Sequence, residues 1–426
     1  MLISVSLLLF SCKKNKIKPE PENPIGNVPL PDSLLYVNTV DHSSGTSAVY
    51  VLNAATGASI TKYAYPIDAG TTWSYPVAGN KLLYTLQTDK INAINMSTGK
   101  LVWTDAISNV ITPILHQQTF YGVKQENTTL YQAYALNATQ QTNDFLWKYK
   151  LPGAPLQISY YNEVVYVLTD ATHLTALDAK SGVAKWSVAA AAPLLLNAIN
   201  DGVFIAGNTI YNAATGTPIG TAGSVNIPLY YGAGTIVRSQ LLYANPTVCF
   251  VKTGHYQPNS NSGVDFNQDF LSVVDIASGA EKQRVKFGEG YVLVPNSNMV
   301  IQAWNDKLIV SQSHTEPAKF YGTYASDRYG IIPSNLSSDL IAFEQQQSGR
   351  SSEYTIAGNM MYYFKVFLPP SGIIPFTPTT ANQFLAVNLL TGKQQWSSDT
   401  NFGNNRGWGM AACIYAGGKG FSKYIQ

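Results

Sequence analysis

Apolar runs closed by Asn or Asp, followed four or five residues later by Gly and often soon afterwards by an aromatic, recur down the whole chain. They read Val51-Leu52-Asn53 to Gly57, Ala93-Ile94-Asn95 to Gly99 with Trp103, Ala176-Leu177-Asp178 to Gly182 with Trp186, and Ile210-Tyr211-Asn212 to Gly216. They continue as Val273-Val274-Asp275 to Gly279, Ala342-Phe343-Glu344 to Gly349, and Ala386-Val387-Asn388 to Gly392 with Trp396. An eighth copy, Ala135-Leu136-Asn137, has Gln141 at the Gly position and Trp147 as its aromatic. From each turn position to the next the steps are 42, 42, 41, 34, 63, 70 and 43 residues, so a unit of about forty residues repeats and two units are enlarged. A period of this size belongs to propellers and solenoids.

The text between the copies is strand text. Lys81-Leu82-Leu83-Tyr84-Thr85-Leu86 and Glu163-Val164-Val165-Tyr166-Val167-Leu168 are β-branched and aromatic, bounded by Gly, Asn and Asp. Each unit parses as four antiparallel strands, A to D. The parse predicts Trp73–Ala78, Leu82–Leu86, Ile91–Asn95 and Leu101–Thr104 for one unit. The recurring phrase is then the C-to-D turn: Asn or Asp bonds the backbone ahead of it, and Gly takes a positive φ. The aromatic falls on strand D, where it can wedge against the neighbouring unit. Four-stranded units set radially make an all-β, single β-propeller. Eight blades are expected, with seven as the alternative count. The chain opens with strands B, C and D (Leu34–Val40, Val49–Asn53, Ile60–Tyr65), so the missing strand A of that blade is expected from Met410–Tyr415. Gly420 to Ile425 reads as a further strand with no assigned place.

The phrase A-[LIV]-[ND]-x-x-[ST]-G-x-x-x-W resembles the repeat of the quinoprotein (PQQ-like) β-propeller family, over nearly everything after Ser33. That family holds quinone-dependent dehydrogenases beside non-catalytic BamB-like assembly lipoproteins. The resemblance implies a structural, blade-locking role for Gly57, Gly99, Trp103, Trp147, Gly182, Trp186, Gly216, Gly279, Gly392 and Trp396. For a dehydrogenase it also implies adjacent cysteines over the cofactor and a Glu, Asn and Asp set for calcium. No Cys-Cys pair occurs in this sequence. No cofactor is expected, and the chain is read as a non-enzyme.

Composition changes the picture only at the N-terminus. Charged residues are 12% of 426, and 27 are Tyr, as suits half-buried strands. The formal net charge is +2, and Lys13, Lys14, Lys16 and Lys18 contribute more than that, leaving a slightly acidic body. Without a basic stripe, nucleic acid is not an expected partner. Leu2 to Phe10 is an apolar run too short to span a bilayer, closed by Ser11-Cys12 in the manner of a bacterial lipobox. Residues 1–12 are read as a lipoprotein signal peptide with Cys12 as the lipidated residue, a cleaved soluble signal being the rival. Residues 13–32 are read as a Lys- and Pro-rich tether and 33–426 as the propeller. The expected location is the outer membrane, on the periplasmic or cell-surface face, with a monomeric body.

Other chemistry is sparse. The five histidines (His42, His116, His173, His255, His314) are scattered. Cys249 and Cys413 read as small buried apolar residues in non-adjacent units. Asp265, Asn267 and Asp269 have the spacing of a calcium loop, but Phe270 stands where Gly is wanted and Ile276 where an acid is wanted. They are a calcium candidate outweighed by a polar strand.

Extra length falls at His255–Gln268, Thr315–Ser338 and Leu368–Asn382, each read as joining strand B to strand C and so as emerging on one face. Long connections on a rigid scaffold serve recognition. Tyr256, Phe320, Tyr321, Tyr324, Tyr329 and Phe376, with Asp327 and Arg328 between them, are the candidate binding surface. The expected function is an envelope scaffold that binds a protein partner. The alternatives are an enzyme with a quinone or other central-channel ligand, and a surface glycan-binding protein.

Overall fold

The computed structural model divides the chain into residues 1–30 and 31–426. It describes residues 33–421 apart from 42–45, 67–73, 80, 88, 140–144, 171, 190–193, 196–201, 207–208, 222–235, 257–269, 286–297, 305–306, 318–322, 334–340, 348–353, 366–382, 399–410 and 417–418. Residues 1–32, with the expected signal peptide, Cys12 and the expected tether, lie outside the described residues.

Strands β1 (Ser33–Asp41), β2 (Thr46–Asn53) and β3 (Ser59–Pro66) form sheet 1. Sheet 2 holds β4 (Ser74–Gly79), β5 (Leu82–Gln87), β6 (Lys90–Asn95) and β7 (Leu101–Ala106). Sheet 3 holds β8 (Asn109–His116), β9 (Thr119–Asn127), β10 (Leu130–Asn137) and β11 (Phe145–Lys150), and sheet 4 holds β12 (Pro155–Tyr161), β13 (Val164–Thr169), β14 (His173–Asp178) and β15 (Ala184–Ala189). Sheet 5 follows with β16 (Leu194–Leu195), β17 (Val203–Ala206), β18 (Thr209–Asn212) and β19 (Pro218–Thr221), then sheet 6 with β20 (Ile236–Ala244), β21 (Val248–Tyr256), β22 (Phe270–Asp275) and β23 (Glu281–Arg284). Sheet 7 is β24 (Asn298–Trp304), β25 (Lys307–Pro317), β26 (Thr323–Pro333) and β27 (Ile341–Gln347), and sheet 8 is β28 (Tyr354–Ala357), β29 (Met360–Lys365), β30 (Gln383–Asn388) and β31 (Lys393–Ser397). The chain returns to sheet 1 with β32 (Ala411–Ala416) and β33 (Lys419–Phe421), in the order β3-β2-β1-β32-β33.

Every pairing is antiparallel, and all but that of β1 with β32 join strands consecutive in the chain, as a β-propeller requires. The described residues form eight such sheets. First strands pack on first strands, β8 on β12, β20 on β24, β28 on β32 and β32 on β4, so they lie inward and the fourth strands outward. Ring closure is as expected: β32 pairs β1 from Ser33↔Ala416 to Asn38↔Ala411. Of the unplaced segment Gly420 to Ile425, Gly420 and Phe421 find their site on the far side of β32, where Ile414↔Phe421 through Ala416↔Lys419 add a fifth strand beside β4 and β28; residues 422–425 lie outside the described residues.

The expected C-to-D turn is built from local hydrogen bonds. Asn53 Oδ1 accepts from Ala55 N (2.8 Å) and Thr56 N (3.2 Å), while Gly57 N donates to Asn53 O (2.8 Å). Asp178 Oδ1 accepts from Ser181 N and Ser181 Oγ at 2.9 and 2.8 Å. Together these bonds and Lys185 hold the Asp178 carboxylate below its usual range, the Ser181 backbone contributing most. Gly57, Gly99, Gly182, Gly216, Gly279 and Gly392 take φ between 66° and 75°, a region that a side chain resists. A bulge recurs on the C strand just before the turn, as between Ala93 and Ile94 and between Ala176 and Leu177, and so returns the D strand with its aromatic opposite Ala.

That aromatic docks on the turn of the next sheet. Trp147 Nε1 donates to Ala179 O at 2.8 Å, Trp186 to Ala214 O at 3.0 Å, and Trp396 to Ala54 O at 3.0 Å, the last crossing the closure from sheet 8 to sheet 1. A Cβ on Gly182 would stand 2.6 Å from the Trp147 ring, and one on Gly216 would stand 2.7 Å from Trp186, so Gly is required by close approach as well as by φ. Tyr63 performs the same docking on Gly99, donating to Met96 O at 2.8 Å. Trp103, Trp147 and Trp396 are buried, whereas Trp186 is half-buried.

Two seams depart from the pattern. At the degraded copy, the Tyr84 hydroxyl takes the Ala138 carbonyl (2.7 Å), and Trp103, packed on Tyr84, finds no acceptor for its Nε1 among the described residues. At the turn before Gly279 the sizes are exchanged. The register puts Gly220 where other sheets carry Trp, and Gly220 packs against Ile276 while nothing described lies within 4 Å of a Cβ on Gly279. A buried Ile fills the seam that an aromatic fills elsewhere, so Gly279 makes the turn and does not receive a lock.

Candidate functional site

Because strands alternate in direction, the ring has a turn face, bearing the A-to-B and C-to-D connections, and a loop face, bearing the B-to-C and D-to-A connections. The units that carry the inserts, the two enlarged ones and the last, are sheets 6, 7 and 8, consecutive around the ring. Sheets 6 and 7 meet through β20 and β24, and sheets 7 and 8 share a cluster containing Ile309, Ile331, Met361 and Tyr363. Residues 257–269 join β21 to β22 and 366–382 join β29 to β30, as expected for B-to-C connections.

The segment in sheet 7 differs. Thr315 to Pro317 continue β25, and Thr323 to Pro333 form β26, itself the C strand; Ala342-Phe343-Glu344 lies on the fourth strand and not before a C-to-D turn. The insert is therefore a long hairpin, paired from Lys307↔Pro333 to Pro317↔Thr323. Thr323, Tyr324, Tyr329, Ile331 and Ile332 are good strand formers, and the Asp327-Arg328 pair in their midst gave the segment the look of a loop. Strand β24 pairs only as far as Ser313 and β27 only as far as Ser326, so the distal end of the hairpin overhangs the sheet on the loop face.

The candidate residues divide accordingly. Tyr324, opposite Glu316, stands in the overhang, and Tyr256 ends β21 opposite Ile236, also at the loop-face edge. Asp327, Arg328 and Tyr329 lie back inside the four-stranded part, opposite Ser313, Gln312 and Ser311. Phe320, Tyr321 and Phe376 lie outside the described residues, as do Asp265, Asn267 and Asp269. Among the described residues no group of three or more His, Cys, Asp or Glu is placed to hold a metal ion.

A family model described as outer membrane protein assembly factor BamB matches residues 45–214. Over those residues the repeats resemble the PQQ-like repeat. No curated protein matches the chain. Among solved structures, the computationally designed Ika8 protein is similar at 10% identity, covering 83% of this chain and 96% of its own, with a TM-score of 0.48. Dihydro-heme d1 dehydrogenase NirN is similar at 11% identity (90% and 75% covered, TM-score 0.49), and BamB from Moraxella catarrhalis at 13% (70% and 95% covered, TM-score 0.35).

Within the ring, one polar cluster escaped the sequence reading. Asp105, at the end of β7, and Asn109, at the start of β8, are buried in the seam between sheets 2 and 3. The Tyr134 hydroxyl donates to Asn109 Oδ1 at 2.7 Å; burial first, and Asp105 second, raise its pKa far above the ordinary tyrosine range. Asp105 Oδ2 and Asn109 Nδ2 have no partner among the described residues, and burial raises the Asp105 carboxyl to about 6. Asp105 follows Trp103 by two residues on the same strand face, and that spacing was its only signal in the sequence. A carboxyl whose pKa is raised by folding favours the fold while protonated in both states. Stability should therefore be greatest below about pH 4, fall as pH rises through about 6, and stay lower above. Asp105→Asn is expected to flatten that slope and raise the melting temperature at pH 7; a thermal melt series from pH 4 to 8 that shows the same slope in both proteins rejects the assignment.

Cys249 is buried in β21, and burial, with Asp275 adding to it, pushes its thiol up to about 12, as suits an inert apolar filler. Cys413 lies on β32 in sheet 1, far around the sheet order from Cys249. His116 is half-buried and stacks at 4.0 Å on Tyr160, whose hydroxyl donates to Glu163. These groups sit at the sheet 3 and sheet 4 seam, among its packing residues.

Proposed function

We propose that this chain is a non-enzymatic lipoprotein of the bacterial envelope, anchored through Cys12 at the outer membrane, that binds a protein partner through the loop face of sheets 6, 7 and 8. The observation that carries the reading is the match of residues 45–214 to an outer-membrane assembly-factor family, together with a closed ring whose long connections gather on one face. A ring locked at its seams fixes the strand ends from which those connections leave, which lowers the cost of ordering them against a partner. Tyr324 falls in the overhang of the β25–β26 hairpin, and Phe320 and Tyr321 belong to the sequence that joins the two strands, residue types that dominate binding energies when they enter a partner's pocket. The non-enzymatic reading rests on the sequence, which has no adjacent cysteine pair.

Capture of a partner from envelope extract under mild crosslinking tests the proposal. Tyr324→Ala and Phe320→Ala should each weaken capture by about 1–3 kcal/mol with the melting temperature unchanged. Intact capture with a lowered melting temperature would place these residues in packing and move the binding surface elsewhere.

A further inference from the structure

The seam between sheets 2 and 3 is closed differently at its two ends. At the turn-face end the Tyr84 hydroxyl of β5 crosses to the Ala138 carbonyl just past β10. At the loop-face end, where β7 finishes and β8 begins, side chains from three strands carry buried polar atoms that have no partner among the described residues: Asp105 Oδ2, Asn109 Nδ2 and Gln132 Oε1. Asp105 is 2% exposed and Asn109 3%. Nearly all buried polar atoms of folded proteins are hydrogen-bonded, so three orphans in one seam call for an occupant.

Register and side-chain alternation bring the three to one place. Trp103 of β7 and Tyr134 of β10 share the apolar cluster between the two sheets, and Asp105 and Gln132, each two residues from one of these, face the same seam. Asn109 and Gln132 lie on one row of sheet 3, both opposite Lys124 of β9. The Tyr134 hydroxyl links the groups: it donates to Asn109 Oδ1 at 2.7 Å, and the Asp105 carboxylate is near enough to act on its ionisation. Lys124 does not serve them. Its ammonium pairs with Glu126 and lies 4.7 Å from the Phe145 ring centroid, and burial raises the Asp105 carboxyl with no ammonium opposing it.

The three atoms differ in kind, and the difference selects the occupant. Above its pKa of about 6, Asp105 Oδ2 only accepts, as does Gln132 Oε1. Asn109 Oδ1 is committed to Tyr134, so Nδ2 is left to donate. The occupant must therefore donate two hydrogen bonds and accept one. A metal ion or an ammonium cannot accept from Nδ2, an anion such as chloride cannot donate to the carboxylate, and an alcohol hydroxyl has one hydrogen for two acceptors. Water meets all three, and about three bonds is usual for a buried water.

We infer that one internal water molecule is bound at the loop-face end of this seam, donating to Asp105 Oδ2 and Gln132 Oε1 and accepting from Asn109 Nδ2. It joins sheet 2 to sheet 3 at the end opposite the Tyr84 bond, in a seam where the Trp103 indole makes no bond to a described carbonyl. A single bound molecule is not bulk solvent, and the carboxyl keeps its raised pKa. The site belongs to the ring alone and does not depend on the partner-binding reading.

A crystal structure of the full chain at pH 7, at a resolution that shows ordered water, tests the inference. Density for a water within about 2.5–3.2 Å of all three atoms is expected. Asp105→Asn, whose amide oxygen can accept the same bond, should keep that water, and Asp105→Leu should lose it. A direct bond from Asn109 Nδ2 to Asp105 Oδ2, a metal ion identified by anomalous scattering, or a site without density overturns the inference, and so does a water that stays in place in Asp105→Leu. Should Asp105→Leu fail to fold, the wild-type and Asp105→Asn crystals decide the matter.

Discussion

Trp147→Ala is expected to lower stability by about 3–5 kcal/mol, the range for truncating a large buried aromatic. The ring is 8% exposed and packs in a cluster drawn from both sheets of its seam, including Ile114, Tyr121, Val165 and Leu177. It lies directly over Gly182 and donates to Ala179 O at 2.8 Å. Truncation therefore opens a cavity between two sheets and strips a buried carbonyl of its donor, two costs that fall on the same seam. Equilibrium denaturation of the variant measures the loss; a change of a few tenths would show that the aromatic is not a lock. Trp186→Ala serves as the internal comparison. It makes the same kind of bond, to Ala214 O, but is half-buried, so its loss should be clearly smaller.

Removing residues 407–426 should abolish cooperative melting. The deletion takes away β32 and β33, and with β32 the six-rung pairing from Ser33↔Ala416 to Asn38↔Ala411. Leu34, Leu35, Tyr36 and Val37 on β1 are all buried, and they would become the open edge of a three-stranded sheet. The gap would also part sheet 1 from β4 and β28, its neighbours on either side, which β32 now touches. The ladder lost with β32 leaves β1 as a newly unpaired edge that invites association with other chains. Circular dichroism melting and size-exclusion chromatography read the outcome; a truncated monomer with a normal sharp transition would mean that closure contributes little.

The repeating architecture was legible because its determinants are local. The Asn or Asp that opens each turn finds its partners two and three residues ahead, and the Gly that closes it is needed for a φ set within the turn itself. Such signals survive in linear text, and so did the strand boundaries of β4 to β7 and the use of residues from the far end to complete sheet 1. The identity of the lock partners was half legible: an aromatic on the D strand marks a seam, but which carbonyl it reaches depends on the next sheet.

What only the tertiary structure decided concerns groups whose neighbours are distant in sequence. Tyr84 takes Ala138 O fifty-four residues away, which leaves Trp103 without that acceptor. Gly220 and Ile276 exchange sizes across a seam, and either choice alone reads as a broken repeat. The segment after Thr315 reads as an inserted loop from its extra length in the repeat, yet eleven rungs of pairing with β25 make Thr323–Pro333 a strand. Asp105 looks like any polar residue on an outer strand until sheet 3 closes over it and withdraws the water that would keep it ionised. Turn chemistry is written in the residues that make the turn, whereas burial belongs to whatever packs on top, and in this ring that is always the next blade.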